Sequence, residues 1–315
     1  MNMDEKSAGK EKAVEINHLT KSYGKSRGIN DICLSIPQGE FFGFIGPNGA
    51  GKSTTIHTLL GLLRADSGSA SIFGKDIVGK EKEAMLSQIG YLPAEAVFYP
   101  GMKVREVIRL SANLRRKDCS ENAQLLCERL ALNTSKKVRE LSFGNRKKLG
   151  IVCALQGKPR LCILDEPTSG LDPFMQREFF AILQEMHGQG MTIFLSSHIL
   201  SEIQRYCTRA AIIREGSIIA CDRVEELSKT NTKKVHIQLK AVPAQPLDFA
   251  LDGIRGLQQS GRDIHFLYSG EVPLLLSFLA GLPIGDLSIA EPDLEEIFMH
   301  YYQDAGAVEN GGIRQ

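Results

Sequence analysis

The chain has 315 residues, of which 43% are hydrophobic and 24% charged, and its formal net charge at pH 7 is +1. This length allows one large domain or two, with ample residues for a buried core. The balanced charge gives no sign of bulk attraction to nucleic acid, so no nucleic-acid partner is expected. We interpret the basic runs at residues 115–117 and 146–148 as solvent-exposed faces.

Seven cysteines are distributed along the chain without a C-x-x-C pair. Their spacing argues for reduced thiols in a cytosolic protein, and against zinc and a disulfide framework. The N-terminal segment has no apolar signal-peptide core. The longest apolar stretch, residues 272–284, contains two prolines and is shorter than the roughly 20 residues of a spanning helix. Another chain would have to supply any membrane-spanning part.

A glycine-rich loop at residues 46–53 lies between the apolar run 41–45 and a helical pattern over 54–63. Such a loop can turn successive N–H groups inward, and the following helix N-terminus adds partial positive charge. Lys52 is expected to reach the β- and γ-phosphates, and the Ser53 hydroxyl to bind Mg²⁺. The loop predicts a nucleoside triphosphate site formed by Gly46, Pro47, Asn48, Gly49, Ala50, Gly51, Lys52, Ser53 and Thr54.

The hydrophobic patterns predict an α/β domain over residues 14–230, with a helical insert at about 95–155. A helix is expected at 174–187 and a hairpin connection at 214–216. Strands are expected at residues 14–19, 31–36, 41–45, 70–73, 89–92, 161–164, 192–195, 210–213 and 217–220.

A second, smaller α/β domain is predicted over residues 231–303, because the pattern changes there to half-buried strands. Its elements are expected as strands at 235–239, 264–268 and 284–289, followed by a helix at 294–302. Residues 1–13 and 304–315 are expected to be disordered tails.

Further polar residues follow predicted strands or precede helices around the phosphate loop. The buried run 161–166 ends in Asp165, expected to hold Mg²⁺ through water, and Glu166, expected to polarise an attacking water. Ser142 is a predicted helix N-cap and so marks a second anion-binding terminus. His198, after the strand at 192–195, is a candidate contact for the γ-phosphate.

In this order, the motifs resemble those of the ATP-binding subunits of ABC transporters, especially exporter-type subunits with separately encoded permeases. The resemblance covers about residues 14–227 and, more loosely, the C-terminal domain, whose end at residues 291–298 looks like that of the exporter-type subgroup. It implies a P-loop NTPase fold of the ABC type, with an antiparallel β subdomain, a helical insert and a small C-terminal α/β domain.

The resemblance also assigns roles to individual residues. Tyr23 resembles the aromatic that stacks on adenine, and residues 46–54 resemble the Walker A loop. Glu166 and His198 take the positions of the catalytic glutamate and the switch histidine. The remaining positions correspond to the signature (Ser142, Phe143, Gly144 and Asn145), Walker B (Asp165 with Glu166) and the D-loop (Asp172).

Three positions in two motifs depart from the family pattern. Phe143 and Asn145 differ from the usual signature residues, whereas the serine and second glycine that face phosphate are retained. Ala94 stands where the family normally has a glutamine that helps to hold Mg²⁺ and the water. Glu95 is a candidate replacement, and the residue that senses the γ-phosphate is left open.

The family resemblance implies that two subunits dimerise head to tail, each ATP lying between the Walker A loop of one and the signature of the other. The second subunit is either another copy or a different ATP-binding subunit. With ATP and Mg²⁺ as cofactors, hydrolysis would open this dimer and drive export through integral-membrane permease subunits. The expected location is cytoplasmic, on the inner face of the cell membrane, and the permease would determine the cargo.

The alternative is a soluble ABC-type ATPase acting on ribosomes or DNA. The ribosome-associated type normally carries two cassettes, whereas this chain has one. The interval of 90 residues from Lys52 to Ser142 leaves no room for the long helices of the DNA-repair type, and zinc cysteines of the UvrA-like type are absent. A non-catalytic regulatory subunit is disfavoured because Lys52, Asp165, Glu166 and His198 are all present.

Overall fold

A computed structural model describes residues 11–24, 26–228, 232–242 and 251–290. The chain divides into two compact units, Met1–Val224 and Glu225–Gln315. The sequence places the domain boundary slightly later, after residue 230. The predicted final helix and C-terminal tail lie outside the described residues.

The first unit contains two sheets. The strands are β1 (Lys12–Tyr23), β2 (Ser26–Pro37), β3 (Phe41–Ile45), β4 (Ser67–Ile72), β5 (Lys75–Asp76), β6 (Ile89–Leu92), β7 (Leu161–Asp165), β8 (Thr192–Ser197), β9 (Arg209–Arg214) and β10 (Ser217–Arg223). All nine strands predicted for this unit are found, and β3 and β6 have the predicted bounds. Because β1 begins at Lys12, the last two residues of the expected N-terminal tail belong to a sheet.

The central sheet has the order β10-β9-β3-β8-β7-β6. Its strands pair in parallel except for the β9–β10 hairpin, which is antiparallel. Every residue of β3, β7 and β8 is buried, which is typical of parallel strands covered on both faces. Since β8 lies between β3 and β7, the carboxyl ends of these three strands meet at one edge of the sheet.

The second sheet of this unit is antiparallel, with the order β2-β1-β4-β5. Alternate residues of its strands, such as Ile32 and Leu34 of β2, point into a buried cluster. The same cluster contains Phe44 of β3 and Phe194 of β8. The antiparallel sheet is therefore joined to the central sheet by a shared apolar core.

The helices of the first unit are α1 (Lys52–Leu59), α2 (Lys82–Leu86), α3 (Val104–Leu114), α4 (Ser120–Arg129), α5 (Phe143–Leu155), α6 (Pro173–Gly188) and α7 (Leu200–Tyr206). The predicted helical insert corresponds to α3, α4 and α5, with a 3₁₀ turn at Val138–Glu140 before α5. Helix α5 packs against α3, α4 and β6. The insert is thereby attached to the edge of the central sheet.

A short helix, α8 (Val224–Ser228), begins at the end of the first unit. The second unit then contains β11 (Thr232–Leu239), β12 (Ile254–Ser260), β13 (Asp263–Ser269), α9 (Val272–Leu279) and β14 (Ile284–Ala290). The strands form an antiparallel sheet in the order β12-β13-β11-β14. Leu275 and Leu279 of α9 join the core of this sheet.

Neither β12 nor α9 is predicted from the sequence. Six of the seven residues of β12 are exposed, so the strand lacks alternation. Helix α9 begins with a proline in its first turn, a position that tolerates the missing N–H. Among the described residues, no helix has both the length and the apolar character needed to cross a membrane.

Candidate functional site

The loop between β3 and α1 has a backbone that only glycine fits at several points. Gly49 and Gly51 have φ values of 81° and 111°, which side chains rarely tolerate. A Cβ on Gly46 would lie 2.5 Å from the carbonyl oxygen of Ile213. The Gly216 N–H donates a 2.9 Å hydrogen bond to the Ala50 carbonyl, which anchors the loop to the β9–β10 hairpin.

Lys52, the first residue of α1, is 4% exposed and curls back into the loop. Its ammonium donates to the carbonyl oxygens of Gly46 and Pro47, at 2.7 and 3.0 Å. Gly51 caps α1 without a side chain, and within the described ranges no side-chain cap covers the first N–H groups of the helix. Ser53 is exposed in the same turn. The loop therefore presents N–H groups, an ammonium and a hydroxyl together.

Asp165 and Glu166 stand at the carboxyl end of β7. Asp165 is 1% exposed, and one oxygen of its carboxylate accepts a 2.9 Å hydrogen bond from the Ser196 hydroxyl. Glu166 has a φ of 44°, in the left-handed region that non-glycine residues seldom adopt. Its N–H donates to the Ser196 carbonyl at 3.0 Å, which holds this conformation against β8.

The Glu166 carboxylate joins three segments of the chain. Its Oε1 atom lies 3.3 Å from Lys52 Nζ and also 3.3 Å from His198 Nδ1. The lysine comes from the loop after β3, the glutamate follows β7, and the histidine follows β8. The glutamate side chain is 20% exposed and the histidine side chain 44% exposed, so both are accessible from solvent. The structure therefore brings Lys52, Glu166 and His198 together at one carboxylate oxygen.

Next to this group lies a buried carboxylate, Glu202, which is not predicted from the sequence. Glu202 of α7 is 7% exposed, and Ser197 donates a 2.7 Å hydrogen bond to its Oε2. Burial raises the pKa of Glu202, against the opposing effects of Thr168, Ser197 and His198. No helical spacing marks this neighbour in the sequence, because His198 lies before α7, which begins at Leu200.

The predicted signature residues cap α5. The Ser142 hydroxyl accepts hydrogen bonds from the backbone N–H of Asn145 at 3.3 Å and from its side-chain amide at 3.1 Å. Gly144 is required sterically, since a Cβ there would lie 2.6 Å from the Gly170 carbonyl. The Phe143 ring lies against Gly170 and is 44% exposed. The helix therefore begins with a side-chain cap, as predicted.

The other predicted residues lie at two further places. Asp172 caps α6 by accepting a 3.0 Å hydrogen bond from the Met175 N–H. Tyr23 ends β1 with 42% of its surface exposed, and the Lys21 ammonium lies 5.9 Å from its ring centroid. Within the part of the chain that the structure describes, no hydrogen bond or ion pair joins Ser142, Gly144 or Asn145 to residues 46–54.

One residue of the basic run 146–148 is not solvent-exposed, so that part of the prediction is wrong. Lys147 is 2% exposed, because helical periodicity places it on the face of α5 that carries Gly150 and Ile151. Its ammonium donates to the carbonyl oxygens of Ala94 at 2.8 Å and Pro93 at 3.3 Å. Burial lowers the pKa of Lys147 to about 8, although the charges of Asp165 and Glu166 oppose that effect.

Comparison with known proteins agrees with this arrangement. The ABC transporter family matches residues 29–169. The bacitracin transport ATP-binding protein BcrA of Bacillus licheniformis is 33% identical over 296 residues, which cover 91% of this chain and 96% of that protein. The chain belongs to the family of ABC transporter ATP-binding proteins. The fold and activity expected from the resemblance are confirmed: this is an α/β ABC ATPase that binds and hydrolyses ATP.

Two solved structures share this fold. An ATP-binding subunit of an ABC transporter is 30% identical, with a TM-score of 0.65, and covers 68% of this chain and 91% of its own. A dimeric cassette described as a post-hydrolysis state with ADP and Pi is 20% identical, with a TM-score of 0.61, and covers 67% of this chain and 98% of its own. At that identity, the second likeness shows the fold alone.

Proposed function

We propose that this ABC ATPase works as a head-to-tail dimer that energises export through a separate integral-membrane permease. The observation that supports this most directly is the meeting of Lys52, Glu166 and His198 around one carboxylate oxygen. A cation for phosphate, a carboxylate base and an imidazole are the groups that γ-phosphate hydrolysis uses. A soluble ABC ATPase acting on ribosomes or DNA would use the same three groups, so we prefer export because relatives such as BcrA are described as transport proteins.

Nucleotide binding is assigned to residues 46–54. The N–H groups of this loop and of the α1 N-terminus would bind the β- and γ-phosphates. Lys52 would exchange its carbonyl partners on Gly46 and Pro47 for phosphate oxygens, which are stronger acceptors. The half-exposed Tyr23 would stack on adenine, a contact that fixes the base without reading its hydrogen bonds.

We assign Mg²⁺ binding to Ser53 and Asp165, because their hydroxyl and carboxylate offer the oxygen ligands that this ion prefers. Among the described residues, only one oxygen of Asp165 accepts a hydrogen bond, from Ser196, so the residues fit this ion. When bound, Mg²⁺ supplies neutralisation of the charge that develops on the phosphates.

Glu166 is assigned as the general base and His198 as a contact for the γ-phosphate. In the reaction, Glu166 would take the proton of the attacking water. Its left-handed backbone and its hydrogen bond to Ser196 hold the carboxylate at the end of β7. Strain of this kind at an acidic residue is typical of functional sites.

The second half of each site would come from a partner subunit, either a copy of this chain or another ATP-binding subunit. Ser142, Gly144 and Asn145 form the capped N-terminus of α5, which is suited to bind the partner's nucleotide. Asp172, at the start of α6, would lie beside the same interface. ATP would then hold two cationic surfaces together, and hydrolysis would release them.

The proposed roles in export and in binding a permease go beyond what family membership alone establishes. The relative BcrA is described as a bacitracin transport protein, and we infer a comparable role in export for this chain. The helical insert would transmit closure of the dimer to the permease. The protein would then lie on the cytoplasmic face of the membrane, held there by the permease.

The head-to-tail dimer is tested by measuring the molar mass of the protein in solution with light scattering. The Glu166→Gln variant should be a monomer without nucleotide and a dimer with ATP and Mg²⁺, because it binds ATP without turning it over. Adding Ser142→Glu should prevent the dimer, since a carboxylate at this cap repels the partner's γ-phosphate. Ser135→Glu is a control with the same charge outside the predicted site. An equal molar mass in all conditions would refute the head-to-tail dimer.

A further inference from the structure

Three exposed side chains of the antiparallel sheet bring different metal-ligand atoms to one point. The Nδ1 atom of His18, a carboxylate oxygen of Asp31 and the Sγ atom of Cys33 all lie within 4.8 Å of one another. His18 Nδ1 is 2.7 Å from Asp31 Oδ1 and 3.6 Å from Cys33 Sγ. None of these residues belongs to the nucleotide site described above.

The two strands that carry these residues are held in fixed register. In β2, Ile32 and Leu34 are buried, so Asp31 and Cys33 lie on the opposite, exposed face. His18 lies in an irregular part of β1, where the pairing with β2 shifts between Ile16 and Leu19. This irregularity directs the histidine toward the two ligands on the neighbouring strand.

Strand β4, which pairs with β1 on the side away from β2, also fixes the backbone around His18. Gly68 approaches so closely that a Cβ there would lie 2.2 Å from the His18 carbonyl oxygen. His18 and Asp31 have φ values of 52° and 54°, and the Asp31 N–H donates to the Thr20 hydroxyl at 3.0 Å. The ligands therefore stand on the sheet itself, which is more rigid than a loop.

The atom types select a class of metal. A thiolate with an imidazole nitrogen favours Zn²⁺ and similar transition metals, whereas Mg²⁺ and Ca²⁺ prefer oxygen ligands. In a tetrahedral zinc site, sulfur at ~2.3 Å and nitrogen at ~2.05 Å from the metal lie ~3.6 Å apart, and nitrogen and oxygen lie ~3.3 Å apart. The Sγ–Nδ1 distance of 3.6 Å matches this value, and the Nδ1–Oδ1 pair has to open from 2.7 Å to ~3.3 Å.

We propose that His18, Asp31 and Cys33 bind a divalent transition-metal ion of the zinc class, with solvent in the fourth position. Binding replaces the thiol proton of Cys33, which passes to solvent, by a metal–sulfur bond. The His18 backbone N–H donates to Cys33 Sγ at 3.3 Å and so holds the sulfur beside the imidazole. This proposal departs from the sequence argument against zinc, because the ligands come from paired strands rather than a local C-x-x-C motif.

The test uses Co²⁺ as a spectroscopic probe on the full chain, without nucleotide and with excess Mg²⁺ to fill oxygen-ligand sites. Binding should produce a thiolate-to-cobalt charge-transfer band and the visible bands of tetrahedral Co²⁺, and one equivalent of Zn²⁺ should remove them. Cys33→Ser should abolish the charge-transfer band. His18→Asn, which tolerates the left-handed backbone, should weaken binding by roughly 10²-fold or more.

The matched control is Cys221→Ser, which removes the other exposed cysteine. It should retain the full spectrum, and both serine variants should keep the parental ATPase rate as a check on folding. No cobalt band in the parent chain would overturn the proposal. So would a band that survives Cys33→Ser or disappears in Cys221→Ser.

Discussion

Lys147 offers a quantitative test of the structure, because its buried ammonium links protein stability to pH. Burial lowers the pKa of this group from 10.5 to about 8 in the folded chain. Between these values, the unfolded chain binds one more proton at Lys147 than the folded chain does. The unfolding free energy of the parent protein should therefore rise with pH across this window.

The magnitude follows from the same two pKa values. At ~1.4 kcal/mol for each pH unit, the parent should gain about 3 kcal/mol of stability from Lys147 between pH 8 and 10.5. The cost of burying the charge is fully present below pH 8 and disappears above pH 10.5. Lys147→Met keeps a long apolar side chain without the charge, so it should lack this rise.

The assay is urea unfolding of the parent, Lys147→Met and Lys148→Met, followed by far-ultraviolet circular dichroism at several pH values from 7.5 to 10.5. The free-energy advantage of Lys147→Met over the parent should shrink by about 3 kcal/mol as the pH rises. Lys148 is the next residue and is less buried, so the unfolding free energy of Lys148→Met should depend on pH in the same way as that of the parent. If the unfolding free energies of the parent and of Lys147→Met change in parallel with pH, Lys147 is not a buried, charged residue.

The remaining predictions concern turnover. Glu166→Gln should keep ATP binding and reduce ATPase turnover by about 10²–10⁴, the usual effect of losing a general base; a parental rate would place the base elsewhere. Lys52→Ala should abolish nucleotide binding, which titration with ATP measures; unchanged affinity would contradict its role. Ala94→Gln should raise permease-coupled ATPase activity, while Glu95→Ala should leave the basal rate nearly unchanged; a collapse would show that Glu95 has replaced the glutamine.

Much of the first unit could be predicted because its signals are local. The glycine-rich loop, the apolar strands and the acids at the end of β7 each occupy a few consecutive residues. The capping role of Ser142 is local too, since the hydroxyl bonds within the first turn of α5. Short-range patterns of this kind can be read from the sequence without knowledge of how the rest of the chain packs.

Lys147 and Glu202 could not be identified in the same way. The run at 146–148 is uniformly basic, and only the packing of α5 against β6 decides that the middle residue is buried. Glu202 is buried because α7 packs against β3 and β8. Charged residues inside a protein depend on partners elsewhere in the chain, such as the Ala94 carbonyl and the Ser197 hydroxyl. Composition and local spacing do not contain that information.

The order of strands explains why Glu166 can join distant residues. Parallel pairing places Leu164 beside Leu195 and Asp165 beside Ser196, so the residues after β7 and β8 leave the sheet together. Pairing of β8 with β3 brings the phosphate loop to the same edge. Two consequences follow from these neighbours: Ser196 fixes both Asp165 and the Glu166 backbone, and His198 reaches the carboxylate that Lys52 also contacts. A substitution that displaced β8 would therefore separate the base, the histidine and the lysine at once, even though β8 itself contributes none of them.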